Sequence, residues 1–415
     1  MTDNLATQLQ QRLAPEYLGL IRAAGELASD LGAGLYLVGG AARDLLLGQA
    51  SFDIDLVVEG DAPRLASLLA QQTGGQVVVH HRFGTAKLSI RNLTLDLSTA
   101  RSETYLHPGA LPAVRPSSIK NDLARRDFTI NSMAIRLNRD DFGQLLDPFE
   151  GEKDLARKLI RILHEKSFVD DATRMLRAIR YEQRFDFWLE PNTENLLRRD
   201  ISKLHTISGD RIRHELELIL KEELPEKPLR RAGDLGLLRT IYPSLRGNGW
   251  MTQRFQEARS LLHPPPLGLY FSLLLYHLSQ AEAEDVIARL KMPRAISRVI
   301  LDTLRLKQDY IALESPDLSP SGIYHLLENR SFPSLLACVA ATDSPLITSR
   351  LHLYLDKLRH VRTSLNGTAL QQMGVPPGPR VGEVLKALQE AKLDGQARTK
   401  QEEIDLVRAW LSRGG

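Results

Sequence analysis

The stretch LVGGAARDLLLG (37–48), followed by SFDIDLVV (51–58), decides how the first third of this 415-residue chain is read. LYLV (35–38) is a short apolar run of strand type that ends on two glycines. AARDLLLG reads as a short helix, and IDLVV (54–58) as the next strand. Gly39 and Gly40 lack a Cβ, so their backbone can approach a phosphate closely. Asp53 and Asp55 are two residues apart on a strand, which points both carboxylates to one face and Ile54, Leu56 and Val58 to the core. Two parallel carboxylates on a rigid strand form a seat for a divalent metal, and Mg²⁺ bridging them to a nucleotide triphosphate is the usual use. A Gly-Gly pair alone reads as a turn and an Asp-x-Asp alone as surface charge. The order strand, Gly-Gly, helix, Asp-x-Asp strand is what carries the reading. Asp96, in LTLDLSTAR, is either a third carboxylate of the site or a strand-end aspartate.

Further strands are expected at 76–80 (QVVVH), 86–90 (AKLSI) and 93–97 (LTLDL), with Asn92 in a tight turn between the last two. Residues 133–137 (MAIRL) and 159–163 (LIRIL) complete a mixed sheet. From about residue 167 the pattern becomes helical, with apolar positions at three and four spacings such as Ala172, Met175, Leu176 and Ile179. Proline-rich joints stand at 225–228, 264–266 and 376–379. The expectation is an α/β head (1–165) followed by an all-α neck (166–230), body (231–350) and tail (351–415).

Composition excludes more than it assigns. No apolar run approaches the ~20 residues of a membrane span. The opening MTDNLATQLQQRLAPEY lacks the basic-then-apolar order of a signal peptide, so a cytoplasmic address is expected. A net charge of +3 is too weak to announce a nucleic-acid binder. Its distribution says slightly more: residues 1–150 carry 14 basic and 17 acidic side chains, and 151–415 carry 40 and 34. That fits a metal-using head and an RNA-holding remainder. Cys338, the single cysteine, lies in LLACVA and reads as a buried small hydrophobe. His80 and His81 are adjacent and point to opposite faces of a strand, and no His-Asp doublet in the helical region suggests phosphohydrolase chemistry.

The ordered motifs resemble the class II tRNA nucleotidyltransferases, relatives of the bacterial poly(A) polymerases. LVGGAARDLLLG with SFDIDLVV resembles the family's catalytic signature. DLARRDFTINSMA (122–134), LLDPFEGEKDLARKLIR (145–161), DDATRMLRAIRYEQRFDF (170–187) and SGDRIRHELELIL (208–220) resemble its second to fifth motifs. The resemblance implies a polymerase-β-like nucleotidyltransferase head in which Asp53 and Asp55 hold Mg²⁺. It implies attack of an RNA 3′-hydroxyl on the α-phosphate of the nucleotide, with loss of pyrophosphate. Arg43 and Asp44 would build the triphosphate pocket, Arg126, Asp127 and Asn131 would contact the nucleotide, and Asp171, Arg174, Arg177 and Arg180 would line its base side. The bland reading of Arg126-Asp127 is a charged helix start with Asp127 as cap. Implied partners are tRNA, CTP and ATP, with the body and tail gripping the tRNA and with no DNA or membrane.

Asp171, Arg174 and Arg177 are spaced three apart, on one broad face of an expected helix, with Met175, Leu176 and Ile179 packing behind. Such a face is often only solvated charge. Cytosine and adenine, however, both present an exocyclic amine beside a ring-nitrogen acceptor. A carboxylate accepts from the amine and a guanidinium donates to the ring nitrogen. Uracil and guanine place a carbonyl and an N–H there, so the same pair rejects them. By the resemblance, Asp171 and Arg174 select C and A. The family motif begins Glu-Asp, whereas this chain has Asp170-Asp171, one methylene shorter at the first acid.

Residues 98–120 (STARSETYLHPGALPAVRPSSIK) read as a polar loop with Arg101 and Glu103 available to position RNA. Family members that add only CC are described as lacking this loop, so complete CCA addition is expected, with A-only addition as the chief rival. A poly(A) polymerase would be expected to carry an extended basic tail. The GG and DxD elements would also serve a small-molecule nucleotidyltransferase, against which the RRD and DDxxR motifs and the large helical remainder count. A noncatalytic RNA-binding relative would be expected to have lost Asp53 or Asp55.

Overall fold

The computed structural model describes residues 4–49, 54–104, 106–107, 109–110 and 112–412; Asp53 lies outside them. The chain forms two compact units, dividing between Ile241 and Tyr242. The first is built on a seven-stranded sheet in the order β3-β4-β5-β2-β1-β8-β9. Its strands are β1 (Gly34–Val38), β2 (Asp55–Glu59), β3 (Gln76–His80), β4 (Thr85–Ile90), β5 (Leu93–Thr99), β8 (Ala134–Arg136) and β9 (Leu145–Leu146). A hairpin, β6 (Arg101–Thr104) with β7 (Ala113–Pro116), stands apart from it. Only β2 and β5 run parallel, so the sheet is mixed as expected. Asn92 does lie in the β4–β5 turn, but the left-handed residue there is Arg91, at φ 51°.

Helix Ala62–Thr73 covers one face of the sheet, where Leu65, Leu69, Leu88, Leu95 and Leu97 are buried. Asp61 caps its start by accepting from the Arg64 N–H, and Gly74, at φ 70°, ends it. On the other face, helix Ile119–Ala124 sets Ile119 and Leu123 on Tyr36, Val38, Val57, Ala100 and Ala134. Ile54, Leu56 and Val58 are core residues, as their alternation requires, and Asp55 is exposed. Val57 is buried too, because β2 is a central strand covered on both faces beyond its first residue.

The structure departs from the expected elements at several places. Part of 98–120 is the β6–β7 hairpin; β6 (RSET) is polar and β7 (AVRP) is exposed along its whole length, so neither shows the alternation that marks a half-buried strand. LIRIL (159–163) does not join the main sheet, because Leu159–Ile160 pairs in parallel with Trp188–Leu189 in a sheet of its own. Asp171 is not helical: it is extended at φ −142°, ψ 98°, and the helix begins at Thr173. Its carboxylate accepts from the Thr173 N–H at 3.0 Å, a local bond that competes with helix at an Asp-rich start.

Helix Thr173–Phe185 packs on helices Gly209–Leu220 and Glu226–Asp234, and its Met175, Leu176 and Ile179 are buried. PEKP (225–228) marks a helix boundary as expected, standing at the start of helix Glu226–Asp234, where proline is tolerated in the first turn. The 230/231 division therefore falls inside a helix, and 350/351 falls inside helix Pro345–Asp356. The second unit is helical. Its core includes Leu365, Leu370, Val384, Leu388 and Val407, and Cys338 is buried with Sγ 3.8 Å from the Thr303 carbonyl. Burial pushes the Cys338 thiol up to about 12, consistent with a packing role. Among the described residues no helix is long and apolar enough to cross a membrane. Ile179→Ala should lower unfolding free energy by roughly 2–5 kcal/mol in urea titrations, the cost of a buried cavity, with m unchanged.

Candidate active site

The turn after β1 is built for close approach. Gly39 has φ 66° and ψ −127°, and a Cβ there would lie 2.7 Å from the Arg126 guanidinium. The missing side chain thus makes room for an arginine as well as for any incoming phosphate. Helix Gly40–Leu46 follows and carries Arg43, which is 5% exposed. Arg43 donates to Asp44 at 2.8 Å and to the Asn131 amide oxygen at 2.6 Å, and it lies over the Phe185 ring at 4.5 Å.

Asn131 leads to Asp127. The Asp127 Oδ1 accepts from the Asn131 amide at 3.0 Å and from the Phe128 N–H at 2.9 Å. Its Oδ2 lies 2.7 Å from the Arg177 guanidinium as an ion pair, without an N–H aimed along the contact. Burial opposes the charge on Asp127, but Arg177, Asn131, Arg174 and the Phe128 N–H outweigh it and hold the carboxyl below its ordinary value of 3.8. Asp127 in turn raises the pKa of Arg177. The cap reading of Asp127 does not hold: the N–H it accepts belongs to the next residue, and the turn Thr129–Asn131 that follows starts from Phe128 without a side-chain cap.

Asp122 organises the neighbouring arginines. Fully buried, it accepts from Arg125 at 2.8 Å, Arg126 at 3.0 Å and the Arg101 N–H at 3.2 Å. Arg125 also donates to Glu103 at 2.8 Å, which fixes the β6–β7 hairpin beside the cleft. Arg101 pairs with Glu103 at 3.4 Å.

At the start of the arginine helix, Asp171 Oδ1 receives Thr173 Oγ1 at 2.6 Å and Arg211 at 2.8 Å. These contacts use one oxygen, so the second keeps its acceptor capacity. Arg174 donates to Ser167 Oγ at 2.6 Å and to the Arg125 carbonyl at 2.8 Å. The short Asp170 therefore does not orient it; Asp170 lies 3.9 Å from His164 instead.

These groups converge on one cleft of about 580 Å³. Gly39, Gly40, Arg43, Asp44, Asp55, Glu103, Arg126, Asp127, Asn131, Asp171, Arg174 and Arg177 all line it. Arg180, Arg101 and Asp96 do not. Arg180 turns to Glu222, at 3.4 Å, and Glu215, at 4.0 Å. Sequence reasoning missed Tyr181, Arg184, Arg125 and Arg211, which also line the cleft. The first two were legible: Arg174, Arg177, Tyr181 and Arg184 recur at spacings of three, four and three, the stripe of one helix face. Arg180 is one residue off that stripe.

Asp96 is the direct cross-strand partner of Asp55 on parallel neighbouring strands. Their Cα atoms are thus about 4.8 Å apart with side chains on one face. Two hard oxygen donors so placed suit Mg²⁺ better than a softer ion. Among the described residues no group of three or more His, Cys, Asp or Glu converges. An ion there would complete its shell from substrate and water, as Mg²⁺ commonly does.

A mixed sheet that ends in a glycine turn beside an exposed strand aspartate, backed by an arginine-rich helix, is a polymerase-β-like nucleotidyltransferase head. Residues 35–161 match the poly(A) polymerase head domain, 186–247 the probable RNA- and SrmB-binding site of polymerase A, and 269–407 the putative tRNA nucleotidyltransferase domain 2. An A-adding tRNA nucleotidyltransferase of Geobacter sulfurreducens is 36% identical over 96% of this chain and 48% of its own. The chain thus spans about half the length of that relative. One of Halalkalibacterium halodurans is 32% identical over 99% of this chain and 96% of its own. The Thermotoga maritima CCA-adding enzyme, solved in complex with tRNA, is 33% identical with a TM-score of 0.81, over 99% of both chains. The chain belongs to the tRNA nucleotidyltransferase and poly(A) polymerase family.

The lowered Asp127 pKa gives a signed test. Its contribution to stability is complete above the ordinary value of 3.8 and is lost as pH falls through the lower folded value. Asp127→Asn, which removes the carboxylate paired with Arg177 at 2.7 Å, should cost roughly 1–3 kcal/mol at pH 7. The difference from wild type, read by urea midpoints, should hold down to about pH 4 and shrink below it.

Proposed function

We propose that this chain adds C, C and A in turn to the 3′ end of tRNA, taking CTP and ATP and selecting them with its own side chains. The observation that carries this reading is that Asp171 and Arg174 line the same cleft as the Gly39–Gly40 turn and Asp55. A base edge and a triphosphate can then be held at once. Asp171 accepts from the exocyclic amine shared by C and A, and Arg174 donates to the adjacent ring nitrogen. Ser167 and the Arg125 carbonyl fix Arg174, and Thr173 and Arg211 fix Asp171, so the pair meets a base already oriented. Arg43, Arg126 and Arg177 offset the charge of the triphosphate, with Asp127 and Asn131 beside the sugar.

Asp55, with Asp53 and Asp96, would hold Mg²⁺, which when bound neutralises charge on the attacking and leaving oxygens. The residues of this chain supply positioning: the 3′-hydroxyl is brought in line with the α-phosphate, and no protein nucleophile is involved. A cytoplasmic enzyme acting on tRNA is the setting this requires. The A-adding relatives favour a second reading, in which only the final A is added. Use of CTP separates the two.

Arg174→Ala should reduce the preference for CTP and ATP over UTP and GTP by at least tenfold, the worth of one well-placed hydrogen bond of about 1.4 kcal/mol or more. Asp55→Ala should abolish incorporation of every nucleotide while tRNA binding persists. Unchanged discrimination in Arg174→Ala, measured as kcat/KM ratios, would sink the base-reading role.

A further inference from the structure

A second opening, of about 400 Å³, extends from Asp55 across β5 and β4 to the end of β3. Asp55 and Arg126 line both it and the nucleotide cleft. The register explains what it presents. Asp55 stands opposite Asp96, Asp96 opposite Lys87 and Lys87 opposite Val78, so these four form one cross-strand row. Val57, Ser98, Thr85 and His80 form the next row on the same face. Helix Ala62–Thr73 lies on the opposite face, and the core under helix Ile119–Ala124 reaches only as far as Val57 and Ala100. The rest is open: the Lys87 and Asp96 side chains are 53% and 59% exposed, and Val78 is 58% exposed.

In-line transfer needs the attacking oxygen opposite the leaving pyrophosphate. A triphosphate held at Gly39, Gly40 and Arg43 occupies one side of Asp55, so the 3′-hydroxyl must arrive over β5 and β4. We propose that this open sheet face seats the 3′ end of the acceptor RNA, and that Lys87 is a positioning residue that contacts its backbone phosphate. The inference rests on the nucleotidyl-transfer reading above. Lys87 stands two strands from Asp55, about 10 Å along the row. An RNA end at Asp55 therefore lays its phosphates over β5 and β4. The Lys87–Asp96 contact, at 3.8 Å between two exposed groups, is a weak ion pair. A phosphate that takes Lys87 leaves the Asp96 carboxylate free to turn to the metal seat beside Asp55. The hydroxyls of Thr85 and Ser98 and the exposed Val78 suit a sugar-phosphate strand better than a free anion, which would need converging donors.

The test compares wild type, Lys87→Ala and Lys87→Arg. The affinity for a tRNA transcript lacking CCA is titrated against salt, and KM is measured for CTP and ATP. Lys87→Ala should weaken transcript binding roughly three- to tenfold at low salt. It should also flatten the slope of log affinity against log salt by about 0.7–0.9, one phosphate contact. Nucleotide KM should stay within about twofold, and Lys87→Arg should restore binding. An unchanged salt slope, or a raised nucleotide KM with transcript affinity intact, overturns the proposal. Binding is read apart from incorporation, so wild-type protein that binds the transcript without extending it contradicts the assigned reaction and still lets the Lys87 effect decide this inference.

Discussion

The buried carboxylate of Asp127 is the constraint on which the site depends. It is 5% exposed, and it stays charged because Arg177, Asn131 and a backbone N–H surround it. Through Arg177 it holds helix Thr173–Phe185; through Asn131 and Arg43 it reaches the helix that follows the glycine turn. One charge thus ties the β-sheet head to the helix that carries Arg174. Removing one partner of such a buried set leaves the others uncompensated, which is why the network specifies a geometry more than it adds net stability.

Around this link the sheet divides its labour by face. One face is buried under helix Ala62–Thr73 and supplies the packing. The other is covered over β1 and the body of β2 by helix Ile119–Ala124 and remains open over β5, β4 and β3. Asp55 stands where covered and open regions meet, the position from which a carboxylate can serve two substrates arriving from different sides. Asp122, fully buried in the covering helix, aims Arg125 and Arg126 at that boundary.

Much of this was legible in the residues. The alternation of Ile54, Leu56 and Val58 around Asp55 marked β2 and the face of its carboxylate, and the 3.6-residue period of Met175, Leu176 and Ile179 marked the buried side of the arginine helix. Asp171 was misplaced because aspartate at a helix start gains more from a side-chain bond to Thr173 N–H than from helical geometry. The paired strands Arg101–Thr104 and Ala113–Pro116 read as loop in the sequence because they bury little and their pairing is backbone-driven. Leu159–Ile160 and Trp188–Leu189 are too short to declare a partner. Arg211 lies in the motif at 208–220, but nothing local aims it at Asp171, and Lys87 carries no local signal at all. Their placement follows from tertiary packing and strand register, which pair residues distant in sequence.

The central claim is that one protein-built cleft selects C and A for addition to tRNA. Its most direct test is incorporation on three tRNA transcripts, ending before CCA, after C and after CC, with CTP and ATP supplied separately and together. The account predicts completion to CCA from all three, with CTP alone extending the first two and ATP alone extending only the third. Incorporation of A on the CC-ended transcript with no use of CTP would contradict complete CCA addition and make this an A-adding enzyme; no incorporation on any transcript, by folded protein with Mg²⁺ present, would contradict the assignment of the cleft itself.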